Sequence, residues 1–198
     1  MKTFAKLTMI AAASMIIFTG CKKGENDPFL SLKSRDARIT AEWALVSADY
    51  TEVETSSMGT TSTNYTYDGD KMTEKVTMTY SGSTLTDTDS YDHSEEFEFV
   101  KDGTFSQKVS SDGSTYTIEG FWAWMSGVKE QELKNKEAVV LTYTTSGFYT
   151  SEGQSINPSA ILVFDKLSSK EFVVLFDTEE ASTSSTTTKT GTMTYEKQ

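Results

Sequence analysis

The chain has 198 residues, with 29 acidic residues, 18 lysines and arginines, one histidine and a formal net charge of −11. That balance excludes nucleic acid as a partner, because phosphate binding depends on neutralising cations. One cysteine and one histidine exclude an intramolecular disulfide and any metal cluster or catalytic triad that needs a second imidazole.

At the amino terminus Lys2 and Lys6 precede an apolar segment over residues 7–18, which ends in the small pair Thr19 and Gly20. This is the layout of a secretory signal over 1–20. The segment is shorter than the roughly 20 residues needed to span a bilayer, so it is expected to be removed rather than retained. The run Phe18-Thr19-Gly20-Cys21 resembles the lipobox of bacterial lipoproteins. The resemblance implies a diacylglycerol on the Cys21 sulfur, cleavage just before it and acylation of the new amino terminus. With Lys22 rather than Asp after the cysteine, it also implies an outer-membrane address. Two or three acyl chains, each gaining about 0.8 kcal/mol per buried CH₂, anchor a protein stably. Without Lys2 and Lys6 the remainder carries −13.

Residues 22–36 mix charge with Gly24 and Pro28 and show no period, so 21–36 reads as a lipidated tether, with Phe29, Leu30 and Leu32 able to dock part of it. From 37 to 198 the signal is β: Thr and Ser abound, proline occurs only at Pro158, and apolar and polar residues alternate in short runs. Ile39, Ala41, Trp43 and Leu45 share one strand face by spacing. Phe97 and Phe99 share another, and Phe105, Gln107 and Val109 return after Asp102-Gly103. Asp68-Gly69 and Asp112-Gly113 carry the same hairpin signal. Further strands are predicted over 115–125, 137–145, 160–165, 170–177 and 186–196, and residues 126–135 read as a charged hairpin loop. The sum is an all-β fold of about eight to ten antiparallel strands, whose short links favour an up-and-down β-barrel that removes exposed edges.

Four stretches, ITAEWALVSADY, FEFVKDGTFSQ, GFWAWMSG followed by AVVLTY, and ILVFDKLSSKEFVVLF, resemble in order and spacing the lipocalin-like domain of Gram-negative lipoproteins. The resemblance implies an eight-stranded barrel able to enclose one small ligand.

Candidate chemistry is sparse. His93 stands among Asp87, Asp89, Asp92 and Glu95, oxygens of the type a hard cation takes, but without the spacing or central glycine of an EF-hand. The expectation is a solvated acidic hairpin, with no metal, no cofactor and no enzymatic activity. Aromatic residues are the stronger signal. Tyr116, Ile118, Trp122 and Trp124 alternate onto one strand face, with Trp122 and Trp124 about 7 Å apart. Three readings stay open for that face: core packing, the lining of a calyx together with Trp43, or an exposed platform for sugar rings. Gly120 is expected to mark a bend or bulge. The functional expectation is a lipid-anchored outer-membrane protein that holds a small, apolar ligand in its barrel. The alternative is a packed barrel that binds glycans or an envelope partner through an outer face.

Overall fold

The computed structural model describes residues 34–125, 137–144 and 159–198. The signal, Cys21, Phe29, Leu30, Leu32 and the 126–135 loop lie outside the described residues.

One short helix, α1 (Arg35–Ile39), is followed by ten strands: β1 (Glu42–Ser56), β2 (Gly59–Tyr67), β3 (Lys71–Tyr80), β4 (Ser83–Phe99), β5 (Thr104–Ser111), β6 (Ser114–Trp124), β7 (Glu137–Tyr143), β8 (Ser159–Leu167), β9 (Glu171–Ala181) and β10 (Ser185–Lys197). Each strand pairs antiparallel with its sequence neighbour, and β10 pairs with β1, so the sheet closes into an up-and-down barrel. Ile39 and Ala41 do not share a strand face with Trp43. Ser34 caps α1 by accepting the Ala37 amide at 3.2 Å, and that turn carries Ile39 into the barrel base instead.

Strand number changes with height. At the base, Glu42–Ala44 of β1 pair directly with Glu96–Glu98 of β4, so β2 and β3 are bypassed and eight strands close the ring. Higher up, β1 leaves β4 and pairs with β2 from Ala48 to Ser56, while β3 takes its place along β4 from Asp92 to Ser83. Bulges at Leu45/Ser47 in β1 and Phe164/Lys166 in β8 bend the strands for closure. Gly120 is not a bulge: it pairs in register with Phe105 and Tyr143. Its missing side chain serves close packing, since a Cβ would lie 2.1 Å from the Thr142 carbonyl oxygen and 2.8 Å from the Phe105 ring.

The walls differ in height. β5 ends at Ser111, opposite His93, and turns through Asp112-Gly113 into β6. β4 runs ten residues beyond that level, to Ser83, together with β1, β2 and β3. On the far side the ends of β9 and β10 accompany them, so these six strands form a tall wall. The turns suit this tight meander: Ser81-Gly82 and Asp112-Gly113 have positive φ at both residues (48° and 79°, 47° and 78°), the twist that two-residue hairpins require.

A tall wall leaves an edge on β4. In a two-residue hairpin the closing pair Tyr80/Ser83 is hydrogen-bonded and bonded pairs recur every second residue, so Thr88 and Ser90 aim their amides away from β3. Those amides donate to the carboxylates of Asp87 (2.9 Å) and Asp89 (2.8 Å). Side chains thus occupy donors that would otherwise template another strand.

Candidate functional site

The barrel interior divides into a filled base and an open mouth. In the base Trp43, Phe97, Phe99, Phe164, Leu167, Phe172 and Tyr195 are 0–3% exposed and pack edge-on or stacked, with Phe172 4.9 Å from Trp43 and 4.6 Å from Tyr195 between ring centroids. α1 plugs this end. The Trp43 indole donates to the Ile39 carbonyl at 2.7 Å, and Arg38 donates to the Leu167 carbonyl and to the Glu137 carboxylate at 3.1 Å, both charges being buried. Trp124 donates to Asp36 at 2.6 Å beneath the Arg35 guanidinium, which lies 4.6 Å over its ring. Arg35 and Asp36, assigned by composition to the tether, therefore belong to the base.

This geometry places each of the aromatic residues singled out by sequence. Trp43 is fully buried, with no ring face left for a ligand. Trp122 and Trp124 turn inward against the core, perpendicular to one another at 5.9 Å, and Trp122 donates to the Val100 carbonyl at 3.0 Å. A sugar platform needs coplanar exposed rings, so that reading of the pair does not hold. Tyr116 shares their strand face but sits near the rim, more than half exposed. Sequence thus joined three core residues and one rim residue that the barrel keeps apart.

Above the base the lining changes character. Glu95 points inward from β4, on the face that carries Phe97 and Phe99, and one of its oxygens, Oε1, accepts from Gln107 Nε2 (2.8 Å) and from the Tyr195 hydroxyl (2.9 Å). Oε2 takes no hydrogen bond from a described residue. Burial drives the Glu95 pKa up against the opposing pull of these two donors and of Lys189. The Tyr195 hydroxyl is likewise pushed well above its usual value, by burial and then by the Glu95 charge. Next to this pair lie Tyr50 and Tyr65, stacked at 4.7 Å, with Phe176 5.1 Å from Tyr50. The Lys189 ammonium sits over Tyr50 (4.5 Å) and Phe176 (4.2 Å), and burial lowers its pKa while Glu52 and Glu95 hold it up. Gly191 makes this possible: it faces Tyr50 across the β1–β10 ladder at φ +130°, and a Cβ there would meet Tyr50 at 2.5 Å. All these aromatic side chains except Tyr195 are only partly buried, so the mouth is an open concave sheet.

Of the acidic stretch around His93, the structure brings only part inward. Asp92 turns outward and pairs with Lys71 at 3.1 Å, while Glu95 enters the barrel. Among the described residues no three His, Cys, Asp or Glu side chains converge as for a metal ion. His93 wedges between the Tyr67 and Tyr91 rings where β4 changes partners, and burial lowers its pKa. Two surface clefts lie elsewhere. One, of about 520 Å³, is lined by residues including Thr40, Glu98 and Gln198 at the base rim; the other, of about 370 Å³, by Asp70, Asp92 and Asp112 outside the strand junction. Neither gathers the mouth residues, because a concave wall open on one side does not enclose a volume.

The period-two pattern His93, Glu95, Phe97, Phe99 could have placed Glu95 inside, since alternate residues share a face. Lys189 carries no such signal in its run of threonines.

Fold and site define a closed antiparallel barrel with a packed base and a polar, aromatic mouth. Compared with known proteins, the chain matches no family model, no curated protein and no solved structure.

Proposed function

We propose that this chain is a lipid-anchored outer-membrane binding protein of lipocalin-like design, holding a small molecule of largely apolar surface at the barrel mouth. The observation that carries this reading is the division of the interior: the base is filled by side chains, while Tyr50, Tyr65 and Phe176 above it stay only partly buried. A barrel that served packing alone would bury these rings as it buries Phe172. An apolar ligand covering them gains about 25 cal/mol for each Å² removed from water, less the freedom lost on binding, which corresponds to a Kd of roughly micromolar order on an open face. Cys21 supplies the anchor and the tether holds α1 and the base toward the membrane, so the mouth faces away from it.

One preparation tests both halves. The full chain, made with labelled palmitate, should carry label that Cys21→Ser abolishes. In phosphatidylcholine nanodiscs, with empty discs as the blank, it is titrated with fatty acids, flat porphyrin-like molecules and oligosaccharides while tyrosine and tryptophan emission is followed. Saturable binding of an apolar compound that Tyr65→Ala weakens supports the mouth as the site. Binding of oligosaccharides alone, unaffected by Tyr65→Ala, would move the site to an outer face.

A further inference from the structure

We propose that the cupped inner face of the tall wall takes an organic cation, a ligand in which an ammonium group is joined to a flat or aliphatic body. This rests on the mouth being a ligand site and names the chemistry that site selects.

Ladder register fixes which side chains share the face. Directly opposed residues point the same way, so one row across the wall reads Phe176, Gly191, Tyr50, Tyr65, Glu74 and Asp89. The row above it places Lys189 beside Glu52. Glu54 and Asp87 lie on the same face further out, and Glu95 below. Glu180 joins them through Thr187, the residue opposite Glu54, so among the described residues seven carboxylates share this face with one ammonium, and the concave wall sums their fields. The opposing wall presents Val109, Ile118 and Tyr143 at this level and, among the described residues, brings no compensating cation.

The aromatic groups point the same way. An ammonium is attracted to the face of an aromatic ring, and the wall already demonstrates this with its own Lys189, seated between Tyr50 and Phe176. Tyr65, stacked on Tyr50, lies within the fields of Glu74 and Glu52 and has no cation over its ring among the described residues. A second ammonium placed there would meet a ring face flanked by carboxylates, while its apolar body crosses the mouth toward Val109 and Ile118. Glu95 Oε2, free of protein donors among the described residues, lies at the floor of that path. The same tyrosines feel these carboxylates: Tyr50, Tyr65 and Tyr91 all have their pKa raised, first by burial and then by neighbouring negative or phenolic groups. An anionic ligand would enter against all of these carboxylates.

The test uses three probes of one shape: 4-phenylbutylamine, 4-phenylbutanol and 4-phenylbutyrate, titrated by calorimetry and tyrosine emission into the full chain in phosphatidylcholine nanodiscs. The amine should bind at least tenfold more tightly than the alcohol, with the butyrate weakest, and added salt should erode the amine's advantage. Glu52→Gln with Glu74→Gln should remove most of that advantage while leaving the alcohol unchanged. Lys189→Met should tighten amine binding several-fold, because it removes the competing ammonium, a direction that mere loss of structure does not produce. Equal binding of amine and alcohol would overturn the cation assignment and leave the mouth as an apolar site. Tightest binding of the butyrate, lost in Lys189→Met, would overturn it in favour of an anion. Failure of all three probes, with Tyr65→Ala without effect, would remove the mouth as a site altogether.

Discussion

The base and the mouth of this barrel are built from the same strands, yet they spend their aromatic residues differently. At the base, rings are stacked without exposure, the indole N–H groups have carbonyl or carboxylate partners, and a buried Arg38–Glu137 pair pins the terminal helix to β7. At the mouth, the rings are only partly buried, Glu95 accepts two hydrogen bonds at one oxygen and none at the other from the described residues, and Lys189 rests on π faces. The difference follows from strand count: bypassing β2 and β3 narrows the base until side chains fill it, and inserting them widens the mouth beyond what side chains fill. Stability is thereby concentrated at one end and accessible surface at the other.

The largest expected effect comes from breaking the base. Phe172 is fully buried against Trp43, Phe99, Phe164 and Tyr195, so Phe172→Ala should cost about 4 kcal/mol by lost burial and a cavity. Tyr65→Ala, at a partly exposed ring, should cost on the order of 1 kcal/mol. Denaturant unfolding of both variants checks the contrast; equal costs would mean that the mouth is as much core as the base.

A smaller effect separates the two ends by pH. Burial raises the folded pKa of Glu95, so as pH rises the unfolded chain ionises first and stability falls from the ordinary glutamate range up to the raised value. Glu95→Gln should flatten that fall. The Tm of the parent protein should therefore fall further between about pH 4 and neutrality than that of Glu95→Gln. Thermal scans at several pH values decide it, and parallel profiles for both proteins would show that Glu95 ionises as freely folded as unfolded.

The smallest effect on stability belongs to the edge of the tall wall. Replacing Asp87 and Asp89 by Ser removes the carboxylates that hold the Thr88 and Ser90 amides, and it should change monomer stability by no more than about 0.5 kcal/mol. Light scattering should nevertheless show concentration-dependent association, because the freed donors template strand pairing. A variant that stays monomeric at high concentration would mean that those carboxylates are not what guards the edge.

Much of the fold was legible in the sequence because its signals are local. Asp102-Gly103, Asp68-Gly69 and Asp112-Gly113 each sit at a turn, and the strands foreseen near 115–125, 137–145, 160–165, 170–177 and 186–196 correspond closely to β6 through β10. The candidate site was far less legible. Trp43, Trp122 and Trp124 alternate correctly onto inward faces, but alternation reports only inside or outside, never height in the barrel, and height is what separates a filled base from an open mouth. Tyr116 shares their face and still ends at the rim. The helix at Arg35–Ile39 was hidden by its brevity, with only Ser34 and Asp36 to mark its start.

By itself, then, the sequence determined the β class, the antiparallel meander and most turns, because period-two patterning and positive-φ turn residues act within a few positions of one another. Only the tertiary structure decided that β1 changes partner from β4 to β2, that one wall outgrows the other, and that Glu95, Lys189, Tyr50, Tyr65 and Phe176 meet. Those residues lie on five strands spread from 50 to 189, and what brings them together is ladder register, a property of paired strands that no single strand carries.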